Sequence, residues 1–125
     1  MASKNRMKRT IVIGASPNPD RYAYKAVLAL DIEGHEVYPI GIREGQINGI
    51  DIIITRPRVK NVDTVTIYLS KEHQPLEYDY ILGLKPKRVI FNPGAENEEF
   101  NQMAIKKGII TEHACTLVLL RTSQY

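Results

Sequence analysis

Short apolar runs alternate along the chain with stretches of helical periodicity. Thr10-Ile11-Val12-Ile13-Gly14 is β-branched and shows no apolar–polar alternation, which predicts a strand covered on both faces of a parallel sheet. The following Ala15 to Asp20 carries two prolines and an Asp and predicts a loop ending at a helix N-cap. Arg21 to Glu33 predicts a helix with Tyr24, Val27, Leu28 and Ile32 on its apolar side, closed by Gly34 in a left-handed conformation. Glu36 to Gly41 predicts a second strand, with Pro39 near its end because proline has no amide to donate.

Farther along, Gly45 to Gly49 predicts a turn and Ile50 to Thr55 a short edge strand. Val62 to Leu69 is rich in β-branched residues and predicts a strand. Pro75 to Leu84 predicts a helix that begins with proline. Arg88 to Asn92 predicts a strand stopped by Pro93-Gly94. Glu96 to Lys107 predicts a helix with Phe100, Met103 and Ala104 on its apolar side and Gly108 after its end. Cys115 to Leu120, or a longer run from Ile109, supplies the last strand. Strands alternating with helices imply a three-layer α/β/α fold around a mainly parallel sheet of about five strands, joined by right-handed crossovers. Such folds receive ligands outside the carboxyl ends of their strands, at the point where strand order reverses. The loops after Ile13, Ile40, Leu69 and Phe91 are therefore the first places to look.

Composition narrows this only slightly. The 125 residues are 43% hydrophobic and 25% charged, as in an ordinary globular domain, and the whole of 1–125 reads as one domain. Its net charge of +3 suits a small polyanion but is too weak an excess to argue for nucleic acid. The basic cluster Lys4, Arg6, Lys8 and Arg9 makes residues 1–9 a flexible, solvated tail. A single cysteine, Cys115, permits no internal disulfide and fits a reducing compartment. No apolar run approaches the ~20 residues of a membrane helix. The first ten residues lack the apolar core of a secretion signal, so the expected address is the cytoplasm.

Chemistry concentrates in three loops. Gly14-Ala15-Ser16 leads straight from a strand into a helix, where free amides and the helix dipole favour an anion. The dinucleotide pattern G-x-G-x-x-G and the P-loop are both absent, and the plain alternative is a strand-to-helix turn with no ligand. After the second strand, where a dinucleotide site has an acid for the ribose hydroxyls, the chain has Gly41-Ile42-Arg43. An arginine there suits a ribose phosphate, or else only solvates the loop beside Glu44. Asn92-Pro93-Gly94-Ala95-Glu96-Asn97 ends a buried strand with amide and carboxylate groups suited to an amide-bearing ligand, although Glu96 or Asn97 also suits a helix cap.

Other residues carry less. His35, His73 and His113 have no metal-like spacing with one another or with Cys115. Glu112-His113-Ala114-Cys115 brings a histidine and a cysteine to one side of a strand with no third group to orient them. Ser16 lies in no G-x-S-x-G elbow. The tyrosines read as residues at the edge of the core, since no RNA-binding motif accompanies them.

Three segments, Val12-Ile13-Gly14-Ala15-Ser16, Asn18-Pro19-Asp20-Arg21-Tyr22 and Val37-Tyr38-Pro39-Ile40, together resemble the small stand-alone CoA-binding proteins. These are similar in turn to the CoA-binding domain of succinyl-CoA synthetase and of the ADP-forming acyl-CoA synthetases. Asp63 to Tyr68, Asn92 to Asn97 and Ala114-Cys115-Thr116 follow in the same order. The resemblance implies a Rossmann-like sheet with CoA held across its strand ends. It places Gly14, Ala15 and Ser16 at the phosphates with Arg21 as helper, and Ile40, Gly41 and Arg43 near the adenosine. Tyr68 and Leu69 would border the cleft, and Asn92, Pro93, Gly94, Glu96 and Asn97 would guide the pantetheine. Familiar members continue after the second strand with Asn-Pro where this chain has Gly41-Ile42, so the adenosine contacts are the family's least transferable part.

The resemblance implies binding of a small molecule, CoA or an acyl-CoA, by a non-catalytic carrier, sensor or store. It implies neither nucleic acid nor membrane as partner, and leaves open a homodimer or a partner protein. Two other classes stand beside it. One is an NADP-dependent oxidoreductase, which Arg43 permits and the missing glycines oppose. The other is an interaction or regulatory subunit that has lost the ligand.

Overall fold

The computed structural model describes residues 6–125. Its central sheet is five-stranded and wholly parallel: β1 (Thr10–Ala15), β2 (Val37–Gly41), β5 (Thr64–Ile67), β6 (Arg88–Phe91) and β7 (Ile110–His113), ordered β2-β1-β5-β6-β7. The uninterrupted β-branched runs form the interior strands, and every residue of β5 is buried. Alternate side chains divide between two cores. Ile11, Ile13, Val65, Ile67, Val89 and Phe91 meet Ile81, Phe100 and Ala104 of α2 (Tyr78–Leu84) and α3 (Glu98–Lys106). Val12 meets Ala23, Val27 and Leu30 of α1 (Tyr22–Ile32), with Leu120 of α4 (Thr116–Arg121) packed against them. The chain is thus a Rossmann-like α/β/α sandwich.

Four elements differ from their sequence expectation. Thr116 to Leu120 is helical, with Cys115 as its extended N-cap, and the last strand is Ile110–His113, within the longer run from Ile109. A short unbroken apolar run reads alike as buried strand or buried helix, and here packing against α1 selects the helix. The buried stripe of α1 is Ala23, Ala26, Val27 and Leu30, while Ile32 is 75% exposed. Two alanines let the helix lie close to the sheet, so the stripe follows small residues as well as large ones. Ile50 to Thr55 supplies only β4 (Ile50–Asp51), hairpinned to β3 (Gln46–Ile47). The hairpin turn is Asn48-Gly49, both at positive φ (51° and 82°), as a tight two-residue turn requires. Residues 75–84 form a 3₁₀ turn, Pro75–Glu77, before α2 proper.

The two edges of the sheet are unlike. The outer side of β2 is covered where Ile53 bridges Ile40, with Ile53 N–H donating to Pro39 O at 2.8 Å. Among the described residues no strand lies beside the outer side of β7, and Ile110 in that strand is 64% exposed. Beneath the sheet, Lys8 and Arg9 do not behave as a solvated tail. Lys8 N–H donates to His35 Nδ1 (3.0 Å) and Arg9 pairs with Glu36 (3.1 Å). Of the rest of the expected tail, Arg6 and Met7 are exposed, and residues 1–5 lie outside the described residues.

Candidate functional site

Strand order reverses between β1 and β5, because β2 lies on one side of β1 and the later strands on the other. At the carboxyl ends of these strands opens a cleft of about 1130 Å³. Its floor is shaped by two glycines. The pairing of β1 with β2 shifts register between Ile13 and Ala15, forming a bulge at Gly14 (φ +96°). A Cβ at Gly14 would stand 3.2 Å from the Tyr68 backbone carbon. At Gly41 it would stand 2.3 Å from Ala15 O, so no side chain fits at that position.

Ala15, Ser16, Arg21, Ile40, Arg43, Tyr68, Leu69, Asn92, Pro93 and Gly94 also line the cleft. Tyr68 packs into the core on the α1 side and Leu69 into the core on the α2 side, so the end of β5 divides the floor. Glu96 and Asn97 are not among the lining residues. Glu96 accepts from Gly94 N–H (3.0 Å), and Asn97 caps α3 by accepting from Phe100 N–H (3.0 Å). Asn97 Nδ2 donates to Gln74 Oε1 and Tyr78 Oη.

Asn92 is fully engaged within the protein. Its Nδ2 donates to Thr66 Oγ1 (2.6 Å) and Ile67 O (2.9 Å), and its Oδ1 accepts from Thr116 N–H (2.9 Å). Thr66 and Thr116 share a further hydroxyl hydrogen bond of 2.7 Å. Asn92 therefore pins the start of α4 to the sheet under the cleft. Among the described residues the Tyr68 hydroxyl is buried without a hydrogen-bond partner, and burial pushes its ionisation well above the usual phenol range.

The amino end of α1 faces the cleft, since Arg21, Tyr22 and Ala23 all line it. Its first helical bond runs from Lys25 N–H to Arg21 O, which leaves the Tyr22, Ala23 and Tyr24 amides without helical acceptors. Among the described residues no side chain caps this end, and no acid lies in its first turn. The approaching loop is held by Asn18, whose Oδ1 accepts from Asp20 N–H (2.9 Å), and by Ser16 Oγ, which accepts from Asn18 N–H (3.1 Å). Two lining cations, Arg21 and Arg43, have no side-chain hydrogen bond or ion pair among the described residues. Arg56 also lines the cleft but is committed: it binds Glu77 through Nε–Oε1 (2.8 Å) and Nη2–Oε2 (2.7 Å), and Thr55 O through Nη1. Arg58 and Lys60 do not line it.

Several residues in or directly behind the cleft wall are invisible to sequence patterns. Glu77 and Arg56 meet across 21 residues, and buried Gln74 ties Leu69 O to Ala95 O (2.9 and 2.7 Å). Ser70 Oγ lies 3.0 Å from His73 Nδ1, yet no carboxylate hydrogen-bonds to that ring among the described residues, so the orienting third member of a nucleophilic triad is missing. His113 stacks on Phe91 at 5.1 Å, whereas Cys115 starts α4 and lines the cleft. The two do not share a strand. No helix of the described residues is long and apolar enough to cross a membrane.

The fold and its cleft define an open α/β binding domain. The chain belongs to the CoA binding domain family, which matches residues 8–121. It is 48% identical to an uncharacterized protein of known crystal structure, covering 96% of this chain and 99% of that one with a TM-score of 0.94. It is 26% identical over 104 residues to the uncharacterized protein YneT of Bacillus subtilis (strain 168), covering 82% of this chain and 77% of that one. A hypothetical protein from Pyrococcus horikoshii OT3, 20% identical, shares the fold with a TM-score of 0.85 over 98% of this chain and 87% of its own.

Proposed function

We propose that the chain is one binding unit that holds CoA, free or acylated, across the carboxyl ends of β1, β2, β5 and β6, as a carrier, sensor or store and without catalysing a reaction. The observation that carries this reading is the uncapped amino end of α1 in the cleft, flanked by the unpaired cations Arg21 and Arg43. Amides and a helix dipole supply an anion site that needs no further residue. Membership of the CoA binding domain family supports the same ligand. In this reading the Gly14 to Ser16 bulge and Arg21 receive the pyrophosphate. Ile40 and the bare backbone of Gly41 let the adenosine approach, and Arg43 reads its phosphate. The pantetheine runs past Tyr68 and Leu69 toward Pro93 and Gly94.

Thermal unfolding against CoA, dephospho-CoA, acetyl-CoA, NADP and NAD tests the proposal. A ligand that binds only the folded chain adds about 2.7 kcal/mol at a hundredfold excess over its dissociation constant. CoA raises the midpoint, dephospho-CoA raises it less, and Arg43→Ala removes that difference. A flat response to every CoA form refutes the reading, and a larger response to NADP transfers it to an oxidoreductase.

A further inference from the structure

On the side of the sheet opposite the cleft, one histidine joins the two ends of the described chain. Lys8 N–H donates to His35 Nδ1 at 3.0 Å, so the ring must be neutral with its proton on Nε2. The Tyr125 ring meets that imidazole edge-on, with centroids 5.0 Å apart. Tyr125 Oη shares a hydrogen bond with Thr10 Oγ1 (2.7 Å), and Lys8 Nζ donates to Tyr125 O. The Arg88 guanidinium covers the tyrosine ring at 4.5 Å. Gln124 and Tyr125 N–H both return to Leu119 O (2.8 and 3.1 Å), which ties this cluster to α4. Cys115, which starts α4, and Leu117 within it line the ligand cleft.

We infer that His35 is an acid-sensitive latch, whose protonation releases Tyr125 from beneath the sheet and loosens the carboxyl end of α4. A proton on Nδ1 sets two donors against each other and breaks the bond from Lys8. The charged groups around the ring are the cations Lys8 and Arg88 and the carboxylates Glu33 and Asp63. Glu36 is held by Arg9 and Glu112 by Arg88. Burial, then the Lys8 ammonium, hold the imidazole below its ordinary range, and the two carboxylates do not offset them. The unfolded chain therefore takes up this proton at a higher pH than the folded chain. The latch contributes its full stability above the unfolded value of about 6.5 and loses it as pH falls toward the lower folded value.

The test compares wild type with His35→Asn, whose amide oxygen can accept from Lys8 without titrating. Thermal midpoints are taken between about pH 7.5 and about pH 5, together with amide hydrogen exchange at residues 119–125. Wild type loses a few degrees more than the variant over this range, and at the acid end its 119–125 amides exchange at least severalfold faster than those of the variant. Coincident pH profiles overturn the inference, as does a difference in midpoint with equal exchange at 119–125. If the variant does not fold, exchange in wild type alone decides. Protection of 119–125 that falls on acidification, beyond the intrinsic pH effect, supports the latch, and unchanged protection refutes it.

Discussion

Asn92 carries three hydrogen bonds that hold β5, β6 and α4 together directly under the cleft. Both of its amide hydrogens and its oxygen are used, and it is 1% exposed. Its type and its place at a strand end suggested a ligand contact; it does line the cleft, and its hydrogen bonds give it a framework task there. Leaving buried donors and acceptors unpaired costs about 1–3 kcal/mol each. Asn92→Ala is therefore expected to lower unfolding free energy by about 3 kcal/mol, measured by urea denaturation. A loss within experimental error would mean that the polar layer between Thr66 and Thr116 reorganises without it.

The elements were legible to different degrees, for physical reasons. The interior strands were readable because a strand covered on both faces is apolar along most of its length, and Ile11 to Ile13 and Val89 to Phe91 satisfy this. The cleft loops followed from the strand-order rule before any motif was considered. The helix α4 was not readable, because Thr116-Leu117-Val118-Leu119-Leu120 suits either buried conformation. The Arg56–Glu77 clasp and the Gln74 tie join residues distant in sequence, and no local pattern encodes such pairs. In α1 the error was to weigh bulk over proximity. Ala26 is fully buried and Ile32 is mostly exposed, so Ala26→Leu is expected to destabilise by about 1–3 kcal/mol through overpacking. Ile32→Lys is expected to stay within about 0.5 kcal/mol of wild type. Chemical denaturation of the two variants side by side checks the assignment, and the reverse order would restore the stripe expected from sequence.

Across the whole molecule, the two ends of the strands are put to different uses. Above the sheet, backbone geometry dominates: a bulge at Gly14, a position at Gly41 that admits no side chain, and an open helix end. Below it, side chains dominate, with Tyr125, Lys8, Arg88 and His35 closing the base. The unequal edges of the sheet also govern how chains behave when crowded. A sheet margin with unpaired amides and carbonyls is a template on which another chain can add a strand. The β2 margin is already occupied by Ile53 and interrupted by Pro39, but among the described residues the β7 margin has no strand beside it and carries Ile110. Self-association in concentrated solution should thus begin at β7 alone, growing outward in one direction from each chain. Ile110→Lys places a charge on that margin, and light scattering is expected to show the onset of aggregation moved to higher protein concentration with the thermal midpoint nearly unchanged.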